Sequence, residues 1–224
     1  MDKVETIRDI HELLLNKENI AFVPTMGNLH EGHLSLVDKA ISISKTVVVS
    51  IFVNPAQFNS SKDLESYPRT PDRDIKLLEQ YKNLILFMPN LKEIYPEHTN
   101  NLYDLPPISN DLCGKFRPGH FNGVITIIDK LFDLLMPKSV IFGKKDYQQL
   151  FLVRHFAKHN YPKIKIIGGE TIRNKDGLAM SSRNRLLPPA ERQQAKCVYD
   201  SLEQAQEMVH AGECNTQKII QKMR

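Results

Sequence analysis

Two histidines stand three positions apart in His30-Glu31-Gly32-His33, and this is the first chemistry the chain offers. At the start of a helix, residues spaced i and i+3 lie on the same side, so both imidazoles face one way. Backbone N–H groups at a helix start lack intrahelical partners and attract anions. Gly27 and Gly32 let backbone approach a ligand closely. The run Met26-Gly27-Asn28-Leu29-His30-Glu31-Gly32-His33 therefore suits a triphosphate, with the histidines donating to phosphate oxygens. Capping or surface histidines are the plain alternative. Zinc is a weaker one, because His-x-x-His supplies two ligands and no Cys/His pair stands at metal spacing; no metal-ligand set is assigned. Neither the G-x-x-x-x-G-K-[ST] nor the G-x-G-x-x-G phosphate loop occurs.

Three further groups carry polar chemistry. In Gly143-Lys144-Lys145-Asp146-Tyr147-Gln148-Gln149, Lys145 can neutralise charge on a pentacovalent phosphorus. Asp146 can hold Mg²⁺ or a ribose, or cap the helix that follows. Lys144 reads as a solvated loop residue. Met180-Ser181-Ser182-Arg183 places a hydroxyl pair beside a guanidinium, a compact phosphate clamp. Asn54, Gln57 and Gln149 are neutral amides able to bond the hydroxyl or carboxylate of a small polar substrate. Arg117-Pro118-Gly119-His120-Phe121-Asn122-Gly123 is a turn leading into a helix, suited to a pocket wall or a subunit contact.

These groups need a scaffold. Val4, Ile7, Ile10, Leu13 and Leu14 recur at helical spacing, so the chain is expected to open with a helix. Short apolar runs at 20–23 (stopped by Pro24), 46–53, 84–87, 139–142 and 163–167 read as buried strands. Helical patterns occupy 34–44, 71–81, 121–135 and 146–159. Five strands alternating with helices imply an α/β fold: a Rossmann-like parallel sheet with helices on both faces. Such sheets bind ligands at the carboxyl ends of their strands, near the switch point. The unusual residues do follow the strands: 24–33 after the first, 54–58 after the second, 143–146 after the fourth and 168–173 after the fifth. Residues 190–224 are polar and helical, without another strand. The expected organisation is a domain at 1–170 holding nucleotide and substrate, and a small C-terminal domain at 171–224.

Bulk properties narrow the class. The chain has 224 residues, 41% hydrophobic and 25% charged, enough for a sizeable core. A net charge of +4 fits an anionic substrate without demanding nucleic acid. No basic stripe interleaved with aromatics supports single-stranded nucleic acid. Cys113, Cys197 and Cys214 are too sparse for a disulfide framework. The charged N-terminus does not read as a signal peptide, and the most apolar stretch is too short for a bilayer. The expectation is a cytoplasmic protein without membrane contact.

At these residues the chain resembles the pantoate–β-alanine ligase (pantothenate synthetase) family. The matching blocks are PTMGNLHEGHLSLV at 24–37, SIFVNPAQF at 50–58, YPRTPDRD at 67–74, FRPGHFNGV at 116–124, FGKKDYQQL at 142–150 and DGLAMSSRN at 176–184. They run in family order over about 160 residues. The resemblance implies a Rossmann-like N-terminal domain, a smaller C-terminal lid and a homodimer. It implies ATP, Mg²⁺, pantoate and β-alanine, and two half-reactions through a pantoyl adenylate. By motif, residues 26–33, 143–146, Ile172 and 180–183 would hold ATP, with His33 as proton donor. Gln57 and Gln149 would hold pantoate, Gln57 would also meet β-alanine, and Asn54 would join the pocket.

Two departures accompany the resemblance. Lys144 stands where the family usually has an acidic residue, and the chain ends at Arg224, short of the usual family length. The C-terminal domain is thus expected to be small or incomplete. His-x-Gly-His alone marks only the wider nucleotidyltransferase superfamily, so a transfer of AMP or CMP onto a phosphate stays open on that motif. A non-catalytic RNA-binding module also fits the mild positive charge.

Overall fold

The computed structural model describes residues 1–96 and 102–224. Six parallel strands form one sheet: β1 (Asp2–Val4), β2 (Ala21–Thr25), β3 (Val47–Ile51), β4 (Leu84–Phe87), β5 (Ser139–Gly143) and β6 (Lys165–Gly169), in spatial order β1-β4-β3-β2-β5-β6. The order runs outward in one direction from β2 and in the other from β5. The switch point therefore lies between β2 and β5, and ligands of such sheets bind beyond the strand ends there.

Alternation along the strands explains how both faces are covered. Phe22, Val48, Ile85, Phe87, Val140 and Phe142 face one apolar cluster. That cluster includes Ile10 of α1 (Ile7–Leu14), the stripe Val124, Ile125, Ile128, Leu131, Phe132 and Leu135 of α7 (His120–Leu135), and Leu150, Val153 and Phe156 of α8 (Tyr147–Asn160). Ala21, Val23, Val47, Val49, Leu84, Leu86 and Ile141 face the other cluster. There they meet Leu34, Leu36, Val37 and Ala40 of α2 (Glu31–Ile43) and Leu78 of α4 (Pro71–Leu78). Short helices α3 (Ser61–Ser66), α5 (Leu91–Ile94) and α6 (Cys113–Phe116) lie in the connections. The C-terminal region carries α9 (Pro189–Gln194), α10 (Cys197–His210) and α11 (Thr216–Met223).

The expected α/β parallel sheet is present, with local differences. Val4 belongs to an added edge strand rather than to the first helix. Residues 2–4 pair in parallel with Ile85, Leu86 and Phe87, and Thr6 caps α1 by accepting from Asp9 N at 3.1 Å. A three-residue strand has no periodicity of its own, so only its partner reveals it. Pro24 does not end β2. Ala21 N donates to Thr46 O and Phe52 N to Thr25 O, so alternate residues 21, 23 and 25 turn their polar groups toward β3. Pro24 faces the β5 side, where the pairing register ends at Phe22↔Val140, and its missing N–H costs no ladder bond there. β6 runs through Gly168 and Gly169 instead of stopping at 167, because both still pair with Phe142 and Gly143 of β5; glycine is required there, since a Cβ on Gly169 would sit 2.2 Å from Leu36 Cδ2.

The chain divides into two compact units, 1–29 with 33–170 and 30–32 with 171–224. Among the described residues no helix is long and apolar enough to cross a membrane.

Candidate active site

In the larger unit, the loop after β2 makes two successive left-handed turns, at Gly27 (φ 79°) and Asn28 (φ 50°). Two buried contacts hold it. Thr25 Oγ1 donates to Ser50 O at 2.7 Å and accepts from Gly27 N at 3.2 Å. Asp74, 1% exposed in the first turn of α4, accepts from Asn28 N and Leu29 N, each at 2.8 Å. Thr70 Oγ1 adds a third donor to this carboxylate at 3.1 Å. Charge-assisted bonds of this kind are among the stronger ones. A Cβ on Gly27 would press on Ile51 and on Asp74 itself, at 3.0 and 3.1 Å, so only glycine suits the turn. Sequence reasoning gave Asp74 no role, since an acid in a first helical turn after Pro71 looks like ordinary dipole pairing.

The loop after β3 carries the amides. Asn54, 1% exposed, donates through Nδ2 to Gly123 O at 2.9 Å and to Gln57 Oε1 at 3.2 Å. Its Oδ1 accepts from Tyr95 O–H at 2.9 Å and from Ala56 N at 3.3 Å. Two donor hydrogens and two lone pairs are thus all engaged inside the protein. Burial, with a smaller effect of nearby Tyr103, pushes the Tyr95 phenol up to about 12, so it stays a donor. Gln57 is buried, and its Nε2 lies 3.2 Å from Met26 Sδ, joining this loop to the one after β2. The Gln57 carbonyl accepts from Arg117 Nη2 at 3.2 Å and His120 Nδ1 at 2.7 Å. Arg117 Nη1 also donates to His120 Nε2 at 3.1 Å, which puts the ring proton on Nδ1. The turn 55–57 lies so close to α7 that a Cβ on Gly123 would come within 2.1 Å of Ala56 O. The turn at 117–123 thereby supports the β3 loop from behind.

After β5, residues 144–146 form a single 3-10 turn into α8. Lys145 and Asp146 are exposed, and Lys145 Nζ lies 3.2 Å from Asp146 Oδ1. Gly143 and Gln149 are half-buried. Lys144 is not a purely solvated residue. It pairs with Glu170 just beyond the end of β6, and its stem lies over Gly168, where a Cβ would meet Lys144 Cγ at 3.2 Å. The hydrogen bond from Lys144 holds the exposed Glu170 carboxylate below its ordinary range. Gln148, beside Gln149, is committed to the 108–113 segment: Nε2 donates to Ile108 O and Asp111 O, and Oε1 accepts from Cys113 N. His33 is half-buried in the first turn of α2.

The smaller unit gathers the remaining expected residues. His30 Nδ1 accepts from Gly32 N at 3.2 Å, so this histidine satisfies one of the orphan N–H groups at the start of α2. A Cβ on Gly32 would meet Met180 Cβ at 3.8 Å, which brings the tip His30-Glu31-Gly32 beside the Met180 turn. Residues 172–180 form a small hairpin: Met180 N donates to Ile172 O at 2.9 Å, and Arg173 bridges Ala179. Arg183 N then bonds Ser181 Oγ at 3.2 Å, and Asn184 Nδ2 bonds Ala179 O at 2.9 Å. Ser182 is half-buried and Arg183 exposed. Arg173 lies 4.2 Å over the Tyr199 ring, fastening the hairpin to α10.

No group of three or more His, Cys, Asp or Glu side chains placed to hold a metal occurs among the described residues. Asp74, the buried carboxylate next to the β2 loop, accepts from three protein donors.

An open parallel sheet with shaped polar loops at its carboxyl ends defines an α/β enzyme that binds its ligands at the switch point. The family model for pantoate-beta-alanine ligase matches residues 1–224, and the chain belongs to this family. The pantothenate synthetase of Methylococcus capsulatus is 45% identical over 207 residues, covering 92% of this chain and 72% of that protein. That of Thermotoga petrophila is 44% identical over 227 residues, covering 100% and 81%. The crystal structure of pantothenate synthetase from Thermus thermophilus superposes with a TM-score of 0.94 at 38% identity, covering 100% of this chain and 80% of that one. The ligase from Francisella tularensis, complexed with beta-gamma ATP and beta-alanine, superposes at 0.86 with 39% identity over 91% and 80%.

Proposed function

We propose that the chain joins pantoate to β-alanine at the expense of ATP, in two half-reactions at the loops just described. A pantoate carboxylate oxygen attacks the α-phosphorus, the bond to the bridging oxygen breaks, and pyrophosphate leaves. The β-alanine amine then attacks the acyl carbon, loses a proton, and AMP leaves as amide forms. A carboxylate is a poor acyl donor, and adenylation gives it a good leaving group. The protein's share is positioning and charge stabilisation.

The observation that carries this reading is the direct join between the β2 and β3 loops, Gln57 Nε2 against Met26 Sδ at 3.2 Å. It sets a buried amide, suited to a hydroxy acid, next to a backbone loop suited to a nucleotide. In this reading Met26, Gly27, Asn28 and Leu29 form the nucleotide loop, His33 donates a proton, and Lys145 leaves its exposed partner Asp146 to meet phosphate. Gly143, Lys144 and Asp146 line the same loop, and Gln57 and Gln149 hold pantoate, with Gln57 also near β-alanine. His30, Glu31, Gly32, Ile172, Met180, Ser181, Ser182 and Arg183 are the further nucleotide-binding residues of this reading. Asn54, with every hydrogen-bonding position engaged, acts through Gln57. Mg²⁺ is assigned as the counter-ion carried on the nucleotide phosphates. A homodimer in the cytoplasm is the assembly and compartment we assign.

The test is incubation with ATP, Mg²⁺, pantoate and β-alanine, followed by assay of AMP and pantothenate. Without β-alanine, pyrophosphate exchange into ATP should depend on pantoate. Exchange that proceeds equally without pantoate would sink the adenylate step.

A further inference from the structure

We infer that Tyr95 is a positioning residue for the ligation: through Asn54 it holds the Gln57 amide with its N–H₂ edge toward the acid substrate. The inference rests on the reading that Gln57 binds pantoate, and extends it to a side chain that need not touch the ligand.

The argument begins at backbone groups whose roles admit no choice. Gly123 C=O can only accept, so the atom 2.9 Å from it must be the Asn54 nitrogen. Ala56 N–H can only donate, so its partner at 3.3 Å must be the Asn54 oxygen. These two contacts fix the orientation of the Asn54 amide. The second Asn54 hydrogen then points at Gln57 at 3.2 Å, and that neighbour must be the Gln57 oxygen. With its oxygen turned to Asn54, Gln57 turns its nitrogen the other way, to within 3.2 Å of Met26 Sδ. Thioether sulfur is a weak acceptor, so these hydrogens remain available to an oxygen of the substrate.

The oxygen of Asn54 needs a second donor to be satisfied in a buried place, and Tyr95 O–H supplies it at 2.9 Å. The phenol is held where it is by its ring. Phe52 lies at 6.3 Å between centroids, and Lys130 Nζ lies 5.2 Å over the ring face. Burial pushes the phenol up to about 12, so the donor persists through the working pH range. Removing the hydroxyl leaves the ring packing intact but loosens Asn54, and with it the donor edge that Gln57 presents. A carboxylate or hydroxyl oxygen of the acid would feel that loss, and the nucleotide would not.

The experiment is a double-mutant cycle read in steady-state kinetics, with thermal melting to confirm folding. Tyr95→Phe should raise the pantoate KM about five- to tenfold, the size expected for one weakened hydrogen bond, and leave the ATP KM within about twofold. In a Gln57→Ala background the same change should add nothing, because its effect passes through Gln57. An unchanged pantoate KM in Tyr95→Phe, or an equal effect with and without Gln57, overturns the inference. Asn54→Asp is the second variant. It sets a carboxylate oxygen against the Gly123 and Gln57 oxygens, and should raise the pantoate KM more than Tyr95→Phe does; a smaller rise overturns the proposed orientation. Failure of the underlying reading is separable, because it appears in Gln57→Ala alone as an unaltered pantoate KM.

Discussion

The two compact units hold their shapes by opposite means. The larger one buries two apolar clusters against the sheet and ties its loops with desolvated hydrogen bonds, such as Asn28 and Leu29 N–H to Asp74. In the smaller one no residue of α9, α10 or α11 is buried, and Val198, Leu202, Val209 and Ile220 are exposed. Its hairpin is held by partly exposed side chains: Arg192 to Asp176 at 2.6 Å, which keeps the Asp176 carboxylate below its ordinary range, and Arg173 on Tyr199. A buried polar atom left without its partner costs about 1–3 kcal/mol. The β2 and β3 loops are thus fixed by buried polar partners, whereas the 172–180 hairpin is fixed by its own backbone bonds and by side-chain contacts closer to the surface.

The largest expected contrast is in stability. Phe132→Ala should cost about 3–5 kcal/mol, as a cavity in a closed core, while Leu202→Ala should change little, within about 0.5 kcal/mol. Urea unfolding of both variants measures this, and comparable losses would break the contrast. Next come the groups meant to meet phosphate. His33→Ala and Lys145→Ala should each lower pantoate-dependent pyrophosphate exchange by roughly 10²-fold, the range for lost charge stabilisation; near-normal exchange in His33→Ala removes its assigned role. A third comparison uses glycines. Gly123→Ala drives a Cβ to within 2.1 Å of Ala56 O. It should cost about 1–3 kcal/mol by overpacking and raise the pantoate KM. Gly212→Ala in the smaller unit meets nothing within 4 Å at φ 91°. It should cost about 1 kcal/mol of backbone strain and leave the KM alone. Equal KM effects would show that the fixed β3 loop does not position pantoate.

The smallest effect is a pH dependence. The Tyr95 phenol is raised from 10.0 to about 12 in the fold, so the native state binds the proton more tightly than the unfolded chain. Its contribution is fully present below pH 10 and is lost as pH rises through about 12. Unfolding midpoints of the wild type should fall over that interval more steeply than those of Tyr95→Phe. Parallel curves would place the phenol in an ordinary environment.

Much of this protein is legible in its residues. The buried strands and the α7 stripe follow from apolar runs and 3.6-residue periodicity, because burial and local geometry leave the same mark on any chain. The β-to-α junctions, where glycine, histidine and amides gather, were readable for the same reason. Six motif blocks in one order were enough to name the family. Other features needed the tertiary structure. Edge strand β1 has only three residues and exists through its pairing with β4. Pro24 is tolerated because of which neighbour its nitrogen faces. Asp74 looks like any acid in a first helical turn until two loop N–H groups arrive from residues 46 and 45 positions away. Asn54 shows its ties to Gly123, Ala56, Gln57 and Tyr95 only in the folded chain. In each case the partner is distant along the chain, and the direction of a hydrogen bond is set only when folding brings the second group to it.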